Sequence, residues 1–266
     1  MARTGIPIGG LLQTGYFWLK NRKRSKIFSA WAQAKGLQFA PNAKGFDAPP
    51  NPAAHEDASH VAKHGSRAAG IFLRLIGESK IQTHYMQFAA NRFRGDWQSD
   101  KNISWGTWNG HTVLVWDTVF YDLNDGDGYS EGEYTSVLIL TESPLHRTLI
   151  TPNTLLKRLG SLGVEEGRGH RGYETVKFEL NAFNKAFRVR AHDKKWTFAV
   201  IDEAMIEWML DQKAKHTIEI APGGIMLSTW FTMSPEQVEN QLDFCTGFLE
   251  HMPEDLKDHT MDGEPV

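Results

Sequence analysis

The middle of the chain alternates between apolar and polar positions, which is the period of a β-strand. Residues 102–122 hold two such runs on either side of Asn109-Gly110. This dipeptide favours a two-residue hairpin turn, because both of its positions readily adopt positive φ. Further strands are predicted at residues 133–143, 173–180, 186–191, 216–220 and 225–231.

The last strong pattern is an amphipathic helix over residues 234–252. Ser234 is its predicted N-cap, Pro235 takes the first helical position, and Gln237 completes a capping box. Pro253 ends the helix. Its predicted apolar face comprises Val238, Leu242, Cys245, Leu249 and Met252.

Other helices are predicted at residues 25–35, 151–160 and 202–212. Thr151 is the expected N-cap of the second of these helices, with Pro152 at its first position. Asp202 lies near the predicted start of the third. These helices and the strands above are the secondary-structure elements that the sequence predicts.

The whole pattern predicts an α+β fold. We expect a largely antiparallel sheet of six or seven strands with helices packed on one face, plus an N-terminal helical arm. The predicted regions are a basic and aromatic arm at 1–39, a proline- and alanine-rich linker at 40–66, an α+β domain at 67–253 and an acidic tail at 254–266.

An apolar, aromatic segment, IPIGGLLQTGYFWL at residues 6–19, precedes the basic run KNRKR. As a helix it would cover about 21 Å, short of a hydrocarbon core of about 30 Å. Aromatic rings beside cations suit an anionic membrane surface. The alternative is a helix packed on the protein's own core with a solvated basic end. The predicted contacts with a membrane or a protein partner are Tyr16, Phe17, Trp18, Lys20, Arg22, Lys23 and Arg24.

Composition narrows the classes of partner. The 266 residues carry a formal net charge of −3, so no nucleic acid is expected. The single cysteine, Cys245, favours a reducing compartment. We therefore expect a cytoplasmic protein, peripheral at the inner face of the membrane. No cofactor is expected, and the oligomeric state stays open.

Residues 122–134, DLNDGDGYSEGEY, resemble a calcium loop in composition. An EF-hand loop needs oxygen ligands at positions 1, 3 and 5 and glycine at position 6. Counting from Asp122 places Gly126 at position 5 and Asp127 at position 6, and strand patterns flank the loop. A solvated hairpin loop is the preferred interpretation. The alternative is a weak cation site formed by Asp122, Asn124, Asp125, Asp127, Glu131 and Glu133.

The sequence contains none of the common catalytic motifs: no phosphate loop, no Gly-x-Ser-x-Gly elbow and no HExxH. Arg188 and Arg190 alternate along a predicted strand. With Trp196 they form a candidate stacking or anion-binding group, although alternating arginines more often form a solvated strand face. No catalytic residue is predicted.

The segment FELNAFNKAFRVRAHDKKWTFAVIDEAMIEWMLD resembles a family of uncharacterised bacterial proteins, mainly actinobacterial. Three further pieces fit in order: AWAQAKGLQFAP, NGHTVLVWD and LDFCTGFLEHMP. The resemblance implies a cytoplasmic α+β domain, which in that family often follows membrane-spanning helices. In this chain the corresponding place holds only residues 6–19. No activity is established for the family, so the resemblance implies no catalytic residue.

Three functional hypotheses follow. The leading one is a non-enzymatic binding or scaffolding protein at the cytoplasmic membrane face. The second is an enzyme whose site is assembled from residues distant in sequence. The third is a structural subunit of a larger assembly, for example virus-like, in which residues 1–66 act as an arm on a neighbour.

Overall fold

The computed structural model describes residues 8–53, 81, 85, 88, 97–123, 129–143, 145–154, 172–229 and 231–257. These residues form a sheet of nine strands in the order β1-β2-β3-β4-β9-β8-β5-β7-β6, and all neighbours pair antiparallel. The strands are β1 (Gln38–Asn42), β2 (Trp97–Trp108), β3 (His111–Leu123), β4 (Tyr129–Leu140), β5 (Thr148–Pro152), β6 (Glu174–Val176), β7 (Phe187–Ala191), β8 (Thr217–Ala221) and β9 (Gly224–Ser228). The helices are α1 (Ile8–Ala34), α2 (Asn181–Ala186), α3 (Lys194–Val200), α4 (Glu203–Gln212), α5 (Pro235–His251) and α6 (Glu254–Lys257).

The predicted α+β class and antiparallel sheet are confirmed, but the predicted count of six or seven strands is wrong because the sheet has nine. Strands β1 and β5 were not predicted. Strand β5 lies inside the sheet between β7 and β8, and all five of its residues are buried. A strand that is buried on both faces shows no alternation of apolar and polar residues. Thr151 and Pro152 are the last residues of β5. Asn153 and Thr154 are helical, so the helix begins at Asn153, two residues after the predicted start at Thr151.

The hairpin predicted at Asn109-Gly110 is confirmed. Asn109 has φ 46° and Gly110 has φ 84°, and the flanking residues Trp108 and His111 pair across the turn. Positive φ at both positions matches the right-handed twist of the two strands. This hairpin places the long strands β2 and β3 side by side.

The central strands bury side chains on both faces of the sheet. In β3, Val113 and Val115 belong to a large core that also contains residues of α1, α3, α4 and α5. Leu114 and Trp116, which point the opposite way, belong to a second core with Phe46, Ile81, Tyr85 and Phe88. Helices α1, α3, α4 and α5 thus contribute to the core on one face of the sheet, and a second core covers the other face.

The first part of the chain is built into the sheet domain. Phe28 and Trp31 of α1 lie in the large core, and β1 pairs with β2 at the edge of the sheet. The predicted boundary between arm and linker, at residues 39 and 40, falls inside β1. Within the described residues, the segment from Arg24 to Phe46 therefore packs with the residues of the predicted α+β domain.

Helix α5 begins as predicted. The Ser234 hydroxyl accepts a hydrogen bond from the Gln237 amide at 3.3 Å, and the Gln237 side chain accepts one from the Ser234 amide at 2.8 Å. Its predicted apolar face is buried, from Val238 to Met252. The capping box fixes the start of α5, and the buried face fixes its rotation against the sheet.

Candidate functional site

Helix α1 is fastened to the sheet by a buried ion pair. Arg24 Nε lies 2.6 Å from Asp117 Oδ2, and Arg24 Nη2 lies 2.7 Å from Asp117 Oδ1. The Asp117 side chain is fully buried, and the Arg24 side chain is 14% exposed. This bidentate geometry matches the planar guanidinium to the carboxylate and fixes the rotation of α1.

Two polar side chains complete the surroundings of Asp117. Asn102 Nδ2 donates to Oδ2 at 2.8 Å, and the Thr135 hydroxyl donates to Oδ1 at 2.7 Å. Asn102 adopts φ 51° at the irregularity in β2 between Lys101 and Ser104. Each carboxylate oxygen therefore accepts two hydrogen bonds, which offset the cost of removing its charge from water.

The same arginine also holds the loop between β9 and α5. Arg24 Nη1 donates to the Met233 carbonyl oxygen at 2.8 Å, and the Met233 amide donates to the Thr135 hydroxyl at 2.8 Å. The guanidinium carbon lies 4.4 Å from the centre of the Phe28 ring. Helix α1, strands β3 and β4, and this loop thus meet at Arg24.

A second contact joins the end of α1 to α5. The Trp31 indole donates to Glu239 Oε1 at 2.8 Å, and Lys35 Nζ lies 2.9 Å from Glu239 Oε2. These hydrogen bonds, that from Lys35 first, lower the pKa of Glu239 below its ordinary value. The last three turns of α1 are consequently tied to both the sheet and α5.

The basic residues of α1 divide between two faces. A helix advances about 100° per residue, so Arg24 shares a side with Phe28 and Trp31, which are buried. Arg22 and Lys26 lie roughly opposite Arg24, and Lys23 and Ile27 lie on one flank of the helix between the two sides; all four are exposed. Ile27 is 45% exposed. We call these four residues the outer face of α1.

The predicted contact residues are therefore not equivalent. Arg22 and Lys23 lie on the outer face of α1, but Arg24 is removed from the predicted contact set because Asp117 binds its guanidinium. Tyr16, Phe17, Trp18 and Lys20 belong to the continuous backbone of α1; their side chains lie outside the described part. No helix in the described ranges is both long and apolar enough to cross a bilayer.

The predicted cation loop is only partly covered. Asp122 and Glu131 lie in the paired ends of β3 and β4, opposite Ser130 and Tyr121. Asn124, Asp125 and Asp127 lie outside the described residues, and Glu133 is a residue of β4. Among described residues, no group of three metal-ligating side chains forms a site. The cation site stays a prediction, and strands flank the loop as the hairpin interpretation requires.

The proposed grouping of Arg188 and Arg190 with Trp196 is wrong. Alternation along β7 places Phe187, Val189 and Ala191 in the large core, where Trp196 also lies. The two arginines therefore project from the opposite face of the sheet. They alternate as predicted, but Trp196 cannot stack on them.

A cleft of about 670 Å³ lies between the α4–β8 connection and the outer side of α5. The Trp208 ring crosses α5 there, with ring centroids 4.9 Å from Phe244 and 4.8 Å from His251. Gly247 makes this approach feasible, because a Cβ atom there would lie 2.9 Å from Trp208 Cζ2. We call this space the α5 cleft; its volume is typical of small-molecule sites.

The charges of the α5 cleft do not favour one class of ligand. Burial, and then Lys215, lower the pKa of His216 to about 4, so His216 is neutral at pH 7. Lys213 and Lys215 line one part of the cleft, while Asp243 and Glu250 line another. Cations and carboxylates are therefore balanced around an aromatic floor.

Sequence reasoning missed the partner of Arg24. Asp117 has the same parity in β3 as Val113 and Val115, which point into the large core. A carboxylate at an inward position demands a buried cation or several donors, so this parity was a usable signal. For Asn102 and Thr135 the sequence offered no comparable signal.

No protein-family model matches this sequence, and no curated protein does. Among solved structures, the chain is similar to the crystal structure of the mycobacterial trehalose monomycolate transport factor A, TtfA. The two share 12% sequence identity with a TM-score of 0.49, over 87% of this chain and 97% of the other.

Proposed function

We propose that the protein is a non-enzymatic binding or scaffolding protein that docks on the anionic cytoplasmic face of a membrane through α1. The observation that carries the proposal is the division of basic residues on this helix. Arg24 turns inward to Asp117, while Arg22, Lys23 and Lys26 lie exposed on the outer face of α1 beside Ile27. Cations next to an exposed apolar side chain suit an interfacial helix.

Local charge supports this orientation despite the net charge of −3. Residues 1–26 contain no aspartate or glutamate, so every charged side chain in this segment is basic. Each Lys or Arg near an anionic leaflet contributes about 1 kcal/mol of attraction.

The contacts that anchor α1 to the rest of the protein would also set the orientation of the protein on a membrane. Arg24 and Trp31 hold the last turns of the helix against the sheet and α5. When the N-terminal turns bind a membrane, the sheet would therefore be held in a fixed orientation relative to that membrane. A scaffold needs this property, since it must present its body in a defined orientation to its surface.

The direct test is vesicle flotation. The full chain is mixed with phosphatidylcholine vesicles that either contain or lack phosphatidylserine. We expect flotation only with phosphatidylserine, and partial release at high salt because screening weakens the attraction. The variant Arg22→Glu/Lys23→Glu/Lys26→Glu should lose at least about a hundredfold in partitioning, from three reversed contributions of about 1 kcal/mol each.

A matched control has the same change in charge elsewhere. Lys177, Lys185 and Lys195 are exposed residues near β6 and β7, at the opposite edge of the sheet from β1. Their triple change to Glu should leave flotation near the wild-type value. If both triple variants lose flotation equally, or if wild-type protein does not float, α1 is not a membrane-docking helix. In the second case the basic segment is a contact arm for protein, as the assembly hypothesis requires.

A further inference from the structure

Four large apolar side chains are exposed among the described residues: Ile27 at 45%, Leu180 at 44%, Phe198 at 46% and Phe231 at 53%. They occur in two places. Leu180 and Phe198 belong to the α2–α3 region, where Phe198 packs edge-on against Phe178 at 5.2 Å between ring centroids. Ile27 and Phe231 belong to α1 and to the loop after β9, the two segments joined by Arg24.

The loop that carries Phe231 is held firmly. The Phe231 carbonyl oxygen accepts hydrogen bonds from the Thr135 amide, at 3.2 Å, and from the Thr229 hydroxyl. Two residues later, Met233 is bound through its amide to Thr135 and through its carbonyl to Arg24. The Phe231 backbone is therefore fixed on both sides, although its ring is more than half exposed.

We propose that Phe231 is a second membrane contact, which inserts its ring among the lipid headgroups beside the outer face of α1. This inference rests on the proposed function. A fixed backbone loses little conformational freedom on docking, so a ring presented in this way transfers to the interface efficiently. Phe231 lies two residues before Met233, whose carbonyl binds Arg24 of α1. Lys23 and Lys26 are exposed cations of that same helix, which would draw an anionic leaflet toward α1.

Charge distinguishes this place from the α2–α3 region. Around Leu180 and Phe198, Lys194 pairs with Glu174 and Glu179 lies beside Leu180, so the surface is mixed in sign. Next to Ile27, the exposed charged side chains of the outer face of α1 include Lys23 and Lys26, which are both cations. An anionic lipid surface complements the second arrangement and not the first. A protein partner that captures Phe231 is the competing outcome of the test.

The first experiment compares Phe231→Ala with Phe198→Ala, two changes of the same type at similarly exposed positions. Flotation is measured with phosphatidylserine-containing vesicles at low and high salt. Phe231→Ala should lose about tenfold in partitioning at both salt concentrations, because salt screens the charges of α1 and leaves the apolar contribution of the ring in place. Phe198→Ala should match wild type. Equal behaviour of the two variants at both salt concentrations would overturn the inference.

The second experiment reports the surroundings of the ring position directly. Cys245 is the single cysteine and is fully buried, so an environment-sensitive nitrobenzoxadiazole dye can be placed selectively at Phe231→Cys or at Phe198→Cys. Addition of vesicles should shift the dye emission to the blue and raise its intensity only at position 231. An unchanged spectrum at 231 in protein that floats would refute insertion of this residue.

The two proposals fail in distinguishable ways. If the charge reversal on α1 abolishes flotation while Phe231→Ala behaves like Phe198→Ala, the proposed function stands and the contact by Phe231 is refuted. If wild-type protein does not float, both proposals are refuted. If the dye at 231 responds only when a protein extract is added to vesicle-free solution, the Phe231 surface binds protein, and its assignment to lipid is overturned.

Discussion

Arg24 and Asp117 are 93 positions apart in the chain, yet they form a bidentate ion pair at 2.6 and 2.7 Å inside the fold. The pair lies where α1, β3, β4 and the loop after β9 meet. It therefore joins a helix from the start of the chain to the centre of the sheet. Its loss should affect both stability and the attachment of α1.

The ion pair provides the first prediction. Arg24→Ala leaves the fully buried carboxylate of Asp117 without its cation, so we expect the free energy of unfolding to fall by about 3–5 kcal/mol. Lys26→Ala, on the exposed face of the same helix, should change it by no more than about 0.5 kcal/mol. Urea denaturation followed by circular dichroism measures both. Similar losses for the two variants would contradict a structural role for the pair.

His216 predicts a dependence of stability on pH. Its pKa is lowered from 6.5 to about 4 in the folded chain, so between these values the unfolded state binds more protons than the folded state. Stability should therefore rise with pH across this window, by up to about 1.4 kcal/mol per unit from this group. Above pH 6.5 the contribution is constant.

The control for this effect is His216→Gln, which cannot titrate. The difference in unfolding free energy between wild type and this variant, measured from pH 4 to 7, isolates the histidine from the carboxylates that titrate nearby. A difference that does not vary with pH would show that His216 has an ordinary pKa in the folded protein.

Gly247 predicts a packing effect in the α5 cleft. In Gly247→Ala the new methyl group would lie 2.9 Å from Trp208 Cζ2, so the ring must shift. We expect a loss of about 1–3 kcal/mol from crowding, partly offset by the better helix propensity of alanine, about 1 kcal/mol. Near-ultraviolet circular dichroism should change because the contacts of Trp208 with Phe244 and His251 are disturbed.

Gly45→Ala is a suitable comparison for that variant, since a Cβ at Gly45 meets only Ala40 Cβ at 3.7 Å, an ordinary contact. It should leave the near-ultraviolet spectrum unchanged. A Gly247→Ala protein with wild-type spectrum and stability would mean that Trp208 does not lie across α5.

Cys245 should be inert in the folded protein. It is completely buried, and burial raises the pKa of its thiol well above the ordinary value, so both access and thiolate formation are suppressed. Ellman's reagent should react fully in denaturant and at a rate set by unfolding without it. Rapid reaction of native protein would place this thiol at the surface.

Local signals in the sequence predicted the local parts of the fold. The Asn109-Gly110 turn and the capping box at Ser234 depend on residues within a few positions of each other, and both were found as predicted. Strand β5 was missed because it is buried on both faces. Strand β1 was missed because it has only five residues, most of which are exposed. Neither carries a two-residue alternation that a sequence alone displays.

The candidate site was less accessible to prediction for a related reason. The basic run was recognised, but its division between an inward Arg24 and an outward Lys23 depends on how α1 is rotated against the sheet. Asp117 sets that rotation from 93 positions away. A contact between two residues so distant produces no periodic pattern in a single sequence. The position of Asp117 in β3, on the same side as the buried Val113 and Val115, does identify one member of the pair.

The strand order has a consequence for synthesis on the ribosome. Strands β2, β3 and β4 follow one another in both sequence and sheet, so they can pair soon after they emerge. The next partner of β4 in the sheet is β9, which is synthesised near the end of the chain. Among the described strands, β4 is connected to β8, β5, β7 and β6 only through β9. We expect the two halves of the sheet to associate late, and a nascent chain stalled before β9 to expose the open edge of β4 to chaperones or to aggregation.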